Sequence, residues 1–536
     1  MKKYLRFVFG LRKYLKNRIT PQQALEEAKK TLRERISRRQ ENFCRLLEQG
    51  VFSYPKSPYL PLLKNRKIGF EDTRKWIEND GIEQTLSRLK SEGIYFTVDE
   101  FKGKTKVERE GLKLDVGEKS FDNPFVSAAY EVRSGATRSA GTRVRIDYDY
   151  LVQRSFYDAF ILNLHDSLTS PIANWFPVFP GAPGINSSLR FARIGNPPRR
   201  WFSQVEKSNL KVNWEKRLGV RYIFFMSHLS GVPLANPEYV SLNKAHEVAR
   251  WAASMLEDYP NCVIYTFASS AVRVCIAAQE ENLNIRGTRF LVTGEPLTPQ
   301  KKKEIEAMGA RAVPIYGISE AGVIAAGCAQ AYPDSDSCHF LIDTNAVISH
   351  RLKLSYSDAE VDSFLFTSLL FESPKILLNV GMGDYGRVWN ESCSCDLGKL
   401  GFDAHVSGIH SYEKLTGEGV TFVDTDLIHI IENELPRRFG GQSTDYQLLE
   451  EEDTRGLTRL RLLISPRLGK VDEQTLAETF LQLLKRGENS PESWTQSGSD
   501  MWAQARTLRV KREYPIPTRS GKILPFHIVP EYSDKV

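Results

Sequence analysis

Apolar residues along this chain keep changing their spacing, and the changes predict its elements. From Thr20 to residue 48 they fall at helical intervals. Ala24, Ala28, Leu32 and Ile36 repeat every fourth position, and Phe43, Leu46 and Leu47 extend the stripe. Thr20 can cap this helix, Pro21 suits its first turn, and Gln23 completes a capping-box spacing. Residues 50–115 read as short helical pieces broken at Ser57-Pro58-Tyr59. Residues 126–132 read as a buried strand. A polar loop follows at 133–142, and then Val144, Ile146 and Tyr148 alternate as a strand does. A helix is predicted from 150 to 168, and irregular loops over the Pro-, Gly- and Asn-rich 171–210. From 218 the pattern becomes β then α. Strands are predicted at 221–226, 262–267, 289–293 and 311–316, with helices at 241–256, 269–281 and from Thr298 to Gly309. That alternation predicts a mostly parallel sheet with helices on its faces, and ligands at the carboxyl ends of its strands.

Further on, 361–371 reads as a strand, and the Gly-, His- and Ser-rich stretch at 401–411 as a hinge. Beyond it, 421–435 and 472–485 read as helices, 458–465 as a strand, and 515–523 as an extended basic loop. The predicted class is α/β. A helical region over 1–115 packs on a large multi-sheet domain at 116–407, and a small α+β domain occupies 408–536.

Composition narrows the function without naming it. With 536 residues, 41% hydrophobic and 26% charged, the chain can bury a large globular core. A net charge of +7 admits anionic ligands, but no basic tract interleaved with aromatics argues for nucleic acid. No apolar run is long enough to span a bilayer. The first eighteen residues, MKKYLRFVFGLRKYLKNR, are basic with apolar residues interspersed and lack a signal-peptide core. They read as a surface helix, with a membrane-surface or partner-docking helix as the alternative. Seven cysteines, an odd and sparse set, argue for a reducing, cytoplasmic compartment.

The chemistry concentrates at Tyr316-Gly317-Ile318-Ser319-Glu320-Ala321-Gly322. An aromatic face, a glycine, a hydroxyl and a carboxylate follow a strand within five residues, a set that suits a nucleotide with Mg²⁺. The loop 133–142 adds hydroxyls, two glycines and two arginines that can face phosphates; by itself it reads equally as a polar hairpin.

Five short motifs in order then resemble the adenylate-forming acyl-CoA synthetase superfamily, nearest to phenylacetate–CoA ligases. Ser57-Pro58-Tyr59 resembles that family's early Ser-Pro-Tyr-Tyr stretch, and Ser134-Gly135-Ala136-Thr137 its phosphate loop. Tyr316 to Glu320 resembles Tyr-Gly-x-Thr/Ser-Glu, and Gly383-Asp384 resembles Thr-Gly-Asp. Pro517-Thr518-Arg519-Ser520-Gly521-Lys522 resembles the C-terminal Pro-x-Thr-x-Ser-Gly-Lys motif.

The resemblance implies a carboxylate-activating ligase using ATP and Mg²⁺, with a mobile small domain. Ser134, Gly135 and Thr137 would cradle the β- and γ-phosphates, with charge from Arg138 or Arg143. Tyr316, with Gly317, would meet adenine, Ser319 the α-phosphate, and Glu320 Mg²⁺. Asp384 would accept the ribose hydroxyls. Lys522 would bring positive charge to the attacking carboxylate when the small domain closes. Glu295 would border the nucleotide, unless it is only a helix-flanking acid. Phe267, Ala268 and Ser269 would wall the acyl pocket.

The departures fall elsewhere. Arg138, Ser139 and Ala140 stand where relatives carry glycine and lysine. Leu378 to Met382 replaces an Arg-Tyr-x-Thr run, and Gly408 to Glu413 replaces Gly-Arg-x-Asp-Asp at the hinge. These bear on the second half-reaction more than on adenylation. The acyl acceptor is therefore open between CoA, a carrier protein and an amine, and a degenerate nucleotide-binding scaffold is the rival reading. A homodimer is compatible with the family.

Cys328, His339, Cys393 and Cys395 fit a closed tetrahedral Zn²⁺ site of structural kind, with Cys338 as substitute ligand. They resemble the Glu-x-Cys…His…Cys-Pro-Cys-Gly pattern of phenylacetate–CoA ligase relatives. Free buried thiols beside a satisfied histidine are the alternative.

Overall fold

The computed structural model describes residues 2–127, 129–133, 142–178, 183–206, 214–330, 334, 336–353, 360–411, 415–417, 420–422, 429–485, 501–516 and 525–528. Ser134, Gly135, Thr137, Arg138 and Lys522 lie outside the described residues.

Thr20 caps the helix Pro21–Ser37 and shares a reciprocal capping box with Gln23, as its spacing predicts. Ala24, Leu25, Ala28 and Leu32 are buried from this helix. They pack on the helix Tyr148–Leu164, whose first turn Asp147 caps through the Tyr150 N–H.

One twelve-stranded sheet forms the frame of the large domain among the described residues. From edge to edge it runs Asn345–Lys353, Glu360–Ser368, Val380–Asn390, Ala404–Ser411, Cys338–Phe340, Gly322–Gly327, Arg311–Ile318, Thr288–Thr293, Cys262–Phe267, Ile172–Trp175, Arg200–Ser203 and Pro237–Tyr239. Arg311–Ile318 is the seam. It pairs in parallel with Thr288–Thr293 and antiparallel with Gly322–Gly327, so the sheet is half parallel and half antiparallel. Strand Cys262–Phe267 is buried at every position, as a covered parallel strand must be.

Four expectations need correction. Residues 221–226 are helical, within Trp214–Leu229. Ile223, Met226 and Ser227 point inward at helical spacing while Phe225 points out. The run of aromatic and branched residues hid that period. Residues 171–210 contain two strands and the helix Pro183–Arg193 rather than loops alone. Pro183 sits in that helix's first turn, where proline is tolerated. Residues 401–411 do not form a hinge. Ala404–Ser411 is a strand whose residues pair with Val380–Asn390, so the chain leaves the large sheet only after Ser411. Within 421–435 the first two residues belong to the strand Val420–Phe422, 423–428 lie outside the described residues, and helical backbone runs from His429 through the π-type turn Ile430–Glu434 into Leu435–Phe439.

The small domain carries a four-stranded sheet in the order Leu508–Arg512, Thr458–Ile464, Tyr446–Glu452 and Phe526–Ile528. Helix Glu473–Lys485 covers it with Leu476, Phe480 and Leu484. This domain is docked on the large one. Leu457, Met501 and Ala505 belong to the large domain's core. The Gln300 amide donates to Thr454 O at 2.7 Å, and Arg455 donates to Gln279 Oε1 at 2.8 Å. Lys301, buried on the large domain, donates to Thr458 Oγ1 at 3.3 Å and to Pro296 O at 3.2 Å. Gly456 has φ +78°, and a Cβ there would stand 2.7 Å from the Lys301 backbone nitrogen, so glycine permits this approach. No helix among the described residues is long and apolar enough to cross a membrane.

Candidate active site and metal centre

Tyr316 and Gly317 close the strand Arg311–Ile318, and residues 319–321 turn the chain into Gly322–Gly327. The hairpin register shifts between Tyr316 and Gly317. Two glycines make this turn feasible. A Cβ at Gly317 would meet Gly322 O at 2.9 Å. Gly322 has φ +83°, and a Cβ there would collide with the Tyr150 hydroxyl. Arg154 donates to Val323 O at 3.0 Å and steadies the outgoing strand.

The turn separates its two polar side chains. Ser319 is exposed, whereas Glu320 is only 7% exposed. No hydrogen bond or ion pair engages the Glu320 carboxylate among the described residues. A buried, unpaired carboxylate is costly, and a cation would relieve it. Glu320 could hold a cation such as Mg²⁺ through its carboxylate oxygens.

Asp384 lies on Val380–Asn390, just after Gly383 with its φ of +86°. The Ser411 hydroxyl holds Gly383 O at 2.9 Å. The buried Asp384 accepts from the Tyr316 hydroxyl at 2.8 Å through Oδ2. Burial, then the Asp384 charge, raises the Tyr316 phenol well above its ordinary pKa, so it stays a donor.

Glu295 sits in the turn after Thr288–Thr293. It accepts from the Ser269 N–H at 2.6 Å and the Ser269 hydroxyl at 2.9 Å. That N–H belongs to the first turn of helix Ala268–Glu280, so Glu295 caps the helix from a separate loop. Lys301 Nζ lies 3.8 Å from its Oε2, the oxygen that also accepts from the Ser269 hydroxyl. Its carboxylate is thus already committed within the protein. Phe267 packs under this turn, with Gly294 against its ring. A small, mainly apolar cavity lined by Phe191, Tyr265, Leu291, Ile315 and Val323, with Asp158, adjoins the hairpin.

Sequence reasoning missed Lys301 and Glu450. Burial first, and then Glu295, raises the Glu450 carboxyl to about 8, although Lys301 pulls it down. Lys301 sits in a Lys-Lys-Lys run that reads as a solvated helix face, yet it is buried and reaches across to Thr458 of the docked small domain.

Cys328, His339, Cys393 and Cys395 come together, with one ligand atom of each within 4.8 Å of all the others. Cys328 Sγ and Cys393 Sγ are 3.5 Å apart, and Cys395 Sγ lies 3.1 Å from His339 Nε2. Neighbouring sulfurs around tetrahedral Zn²⁺ stand about 3.8 Å apart, so the set needs little movement to fit. His339 Nδ1 lies 2.7 Å from Phe402 O, which holds the proton there and leaves Nε2 as the free lone pair. Backbone N–H groups of Gln330, Cys395 and Gly398 point at the three sulfurs, at 3.3, 3.4 and 3.5 Å. Cys328 first, then His339 and the Gly398 N–H, holds the Cys395 thiol below its ordinary pKa, against burial. A Cβ at Gly398 would collide with Cys393 O, so this turn requires glycine. Cys338 is not part of the cluster. Its thiol lies 3.6 Å from Pro314 O, which removes it as substitute ligand.

No family model matches the sequence, and no curated protein does. Solved structures do match. One is a 2-hydroxyisobutyryl-CoA ligase in complex with 2-HIB-AMP and CoA in the thioesterification state. It is 14% identical, covers 93% of this chain and 90% of that chain, and has a TM-score of 0.51. This is the adenylate-forming ligase fold. A malonyl-CoA ligase with methylmalonyl-CoA and AMP bound matches at 11% identity over 72% of this chain and 71% of that one, with a TM-score of 0.39. The amide bond synthetase McbA from Marinactinospora thermotolerans matches at 12% identity over 74% and 67%, with a TM-score of 0.37. In this chain the adenylate-forming fold places the Tyr316–Gly322 turn at the seam of the sheet, where the parallel half ends.

Proposed function

We propose that this protein activates a carboxylic acid with ATP and Mg²⁺, forming an acyl-adenylate, and passes the acyl group to CoA, as phenylacetate–CoA ligases do. The observation that carries the reading is the pairing of a buried carboxylate, Glu320, with no partner among the described residues, and the Tyr316–Asp384 hydrogen bond on an adenylate-forming fold.

In the first step an oxygen of the substrate carboxylate attacks the α-phosphorus of ATP. The bond from that phosphorus to the bridging oxygen breaks, and pyrophosphate leaves. The barrier is the approach of two anions, so alignment and charge neutralisation are the main tasks. Asp384 offers Oδ1 to the ribose while Tyr316 holds Oδ2. Ser319, exposed at the turn, reaches the α-phosphate. Ser134, Gly135, Thr137 and Arg138 hold the outer phosphates, and Glu320 holds Mg²⁺, which supplies countercharge when bound. Lys522 meets both reacting anions. Three residues after it, Pro525 O accepts from the Leu448 N–H at 2.8 Å, which ties that end of the loop to the small domain's sheet. Glu295 acts on this site indirectly, by fixing the start of helix Ala268–Glu280.

In the second step a thiolate attacks the acyl carbon, the bond to AMP breaks, and the thiol proton passes to solvent. The 2-hydroxyisobutyryl-CoA ligase of like fold holds an acyl-AMP and CoA together, which supports this order. We assign Zn²⁺ to Cys328, His339, Cys393 and Cys395 in a structural role, since all four donors are buried and together complete a four-ligand set.

The test is pyrophosphate release with ATP and Mg²⁺ across aryl, fatty and amino acids, using hydroxylamine to trap acyl-adenylate. Release driven by one acid class, abolished by Lys522→Ala, is expected. AMP and thioester should then accumulate on adding CoA. ATP binding without release for any acid would replace this reading with a non-catalytic nucleotide-binding scaffold.

A further inference from the structure

The helix Trp214–Leu229 turns Ile223, Met226 and Ser227 into the protein. Its opposite face carries Trp214, Leu218, Phe225 and Leu229, which are 69, 56, 60 and 63% exposed. At helical geometry these four fall within an arc of about 60°, an apolar stripe edged by exposed Arg221 and uncovered among the described residues. The N-terminal helix Lys2–Lys16 lies alongside. The Tyr222 hydroxyl donates to Val8 O at 3.2 Å, and the Phe7 and Tyr222 rings are 5.7 Å apart. Leu11, Tyr14 and Leu15 anchor that helix in the core, leaving Phe9 exposed among exposed Arg12, Lys13 and Lys16.

Charge is gathered at the same place. Residues 2–18 hold seven basic and no acidic side chains, and Trp214–Leu229 adds three basic against one acidic. Together they exceed the +7 of the entire chain, so the remainder is net acidic.

We propose that this face docks on an anionic lipid bilayer. Trp214, Leu218, Phe225, Leu229 and Phe9 enter the boundary between headgroups and acyl chains. Arg12, Lys13, Lys16 and Arg221 meet the lipid phosphates. An apolar stripe flanked by basic side chains on helices too short and polar to span is the pattern of in-plane binding. A second copy of this chain is a poor occupant, because the contact would set two strongly positive faces against each other. A nucleic acid would use the charge but leave the leucines and phenylalanines in water.

The test is flotation of the full-length protein with vesicles of phosphatidylcholine alone and with about one-third phosphatidylglycerol. Binding to the anionic vesicles only, weakened by salt, is expected. The double change Phe225→Glu, Leu229→Glu should weaken it about 100-fold. The triple change Arg12→Glu, Lys13→Glu, Lys16→Glu should do so by a similar factor, about 100-fold, while leaving the stripe intact. Both variants should melt at the wild-type temperature, and either one suffices if the other folds poorly. Wild-type protein left behind by anionic vesicles would overturn the proposal, as would vesicle binding unchanged in the variants. A dimer in lipid-free solution that Phe225→Glu, Leu229→Glu converts to monomer would assign the face to a second copy.

Discussion

The Tyr316 hydroxyl donates to Asp384 although three strands stand between their own strands in the sheet. In a flat sheet that order would hold the two strands about 19 Å apart. The sheet therefore coils until its antiparallel half leans over the seam, and the hydrogen bond closes the gap. Tyr316→Phe removes the donor and leaves Asp384 with one partner fewer. The expected result is an ATP KM raised about tenfold with kcat changed far less. Initial rates of pyrophosphate release against ATP concentration check this. An unchanged KM would mean that Tyr316 does not orient the Asp384 carboxylate for nucleotide binding.

Glu320 sets activity against stability. Without Mg²⁺ its buried carboxylate has no partner among the described residues, so Glu320→Gln should raise the melting temperature of the ligand-free protein by about 2 °C. The same change should slow pyrophosphate release at least about 100-fold. Thermal melts in EDTA and turnover in Mg²⁺ give the two readouts. A destabilised variant would show that an unrecognised cationic partner serves Glu320.

The cysteine–histidine cluster predicts metal content directly. Elemental analysis of purified protein should find about one zinc ion per chain. Cys395→Ser should lose it and lower the melting temperature by about 5 °C or more. Cys338→Ser should keep the metal, since that thiol faces Pro314 O. Zinc retained in the Cys395 variant would show that the cluster is not the binding site.

Docking of the small domain should depend on pH through Glu450. Its carboxyl is raised to about 8 in the docked state, against about 4.3 for an unfolded chain. The stabilisation that goes with neutral Glu450 is fully present below about pH 4.3 and is lost as pH rises to about 8. Glu450→Gln mimics the neutral form. Its melting temperature should match wild type near pH 4.5 and exceed it by at least about 3 °C near pH 8.5. Parallel pH profiles for the two proteins would rule out this role.

Legibility in the sequence followed the range of the forces involved. Thr20 with Gln23 and Thr298 with Pro299 announced helix starts, and the structure has both caps, because a cap is settled within four residues. The alternation through 262–316 was equally plain, since each strand and helix carries its own period. Arg221 to Met226 misled because unbroken aromatic and branched residues suit a strand as well as a helix, and packing within the cluster they share with the first helix decides. His405 lies in a Gly- and Ser-containing stretch that looks hinge-like, yet its strand exists because Val380–Asn390 supplies partners. The four clustered ligands were legible from residue type and spacing. Lys301 and Glu450 were not, being almost 150 positions apart and joined only by domain docking.

The separation of charge along the chain has a further consequence, for the behaviour of shortened forms. Removing residues 1–18 takes away seven positive charges and leaves a formal net charge of zero. A protein without net charge has little to keep its molecules apart near neutral pH. It would also remove Leu11, Tyr14 and Leu15 from the apolar cluster they share with Val144, Ile146 and Leu151. The leading helix thus acts as the chain's solubility tag, and a fragment made without it would precipitate under conditions that keep the full-length protein dispersed.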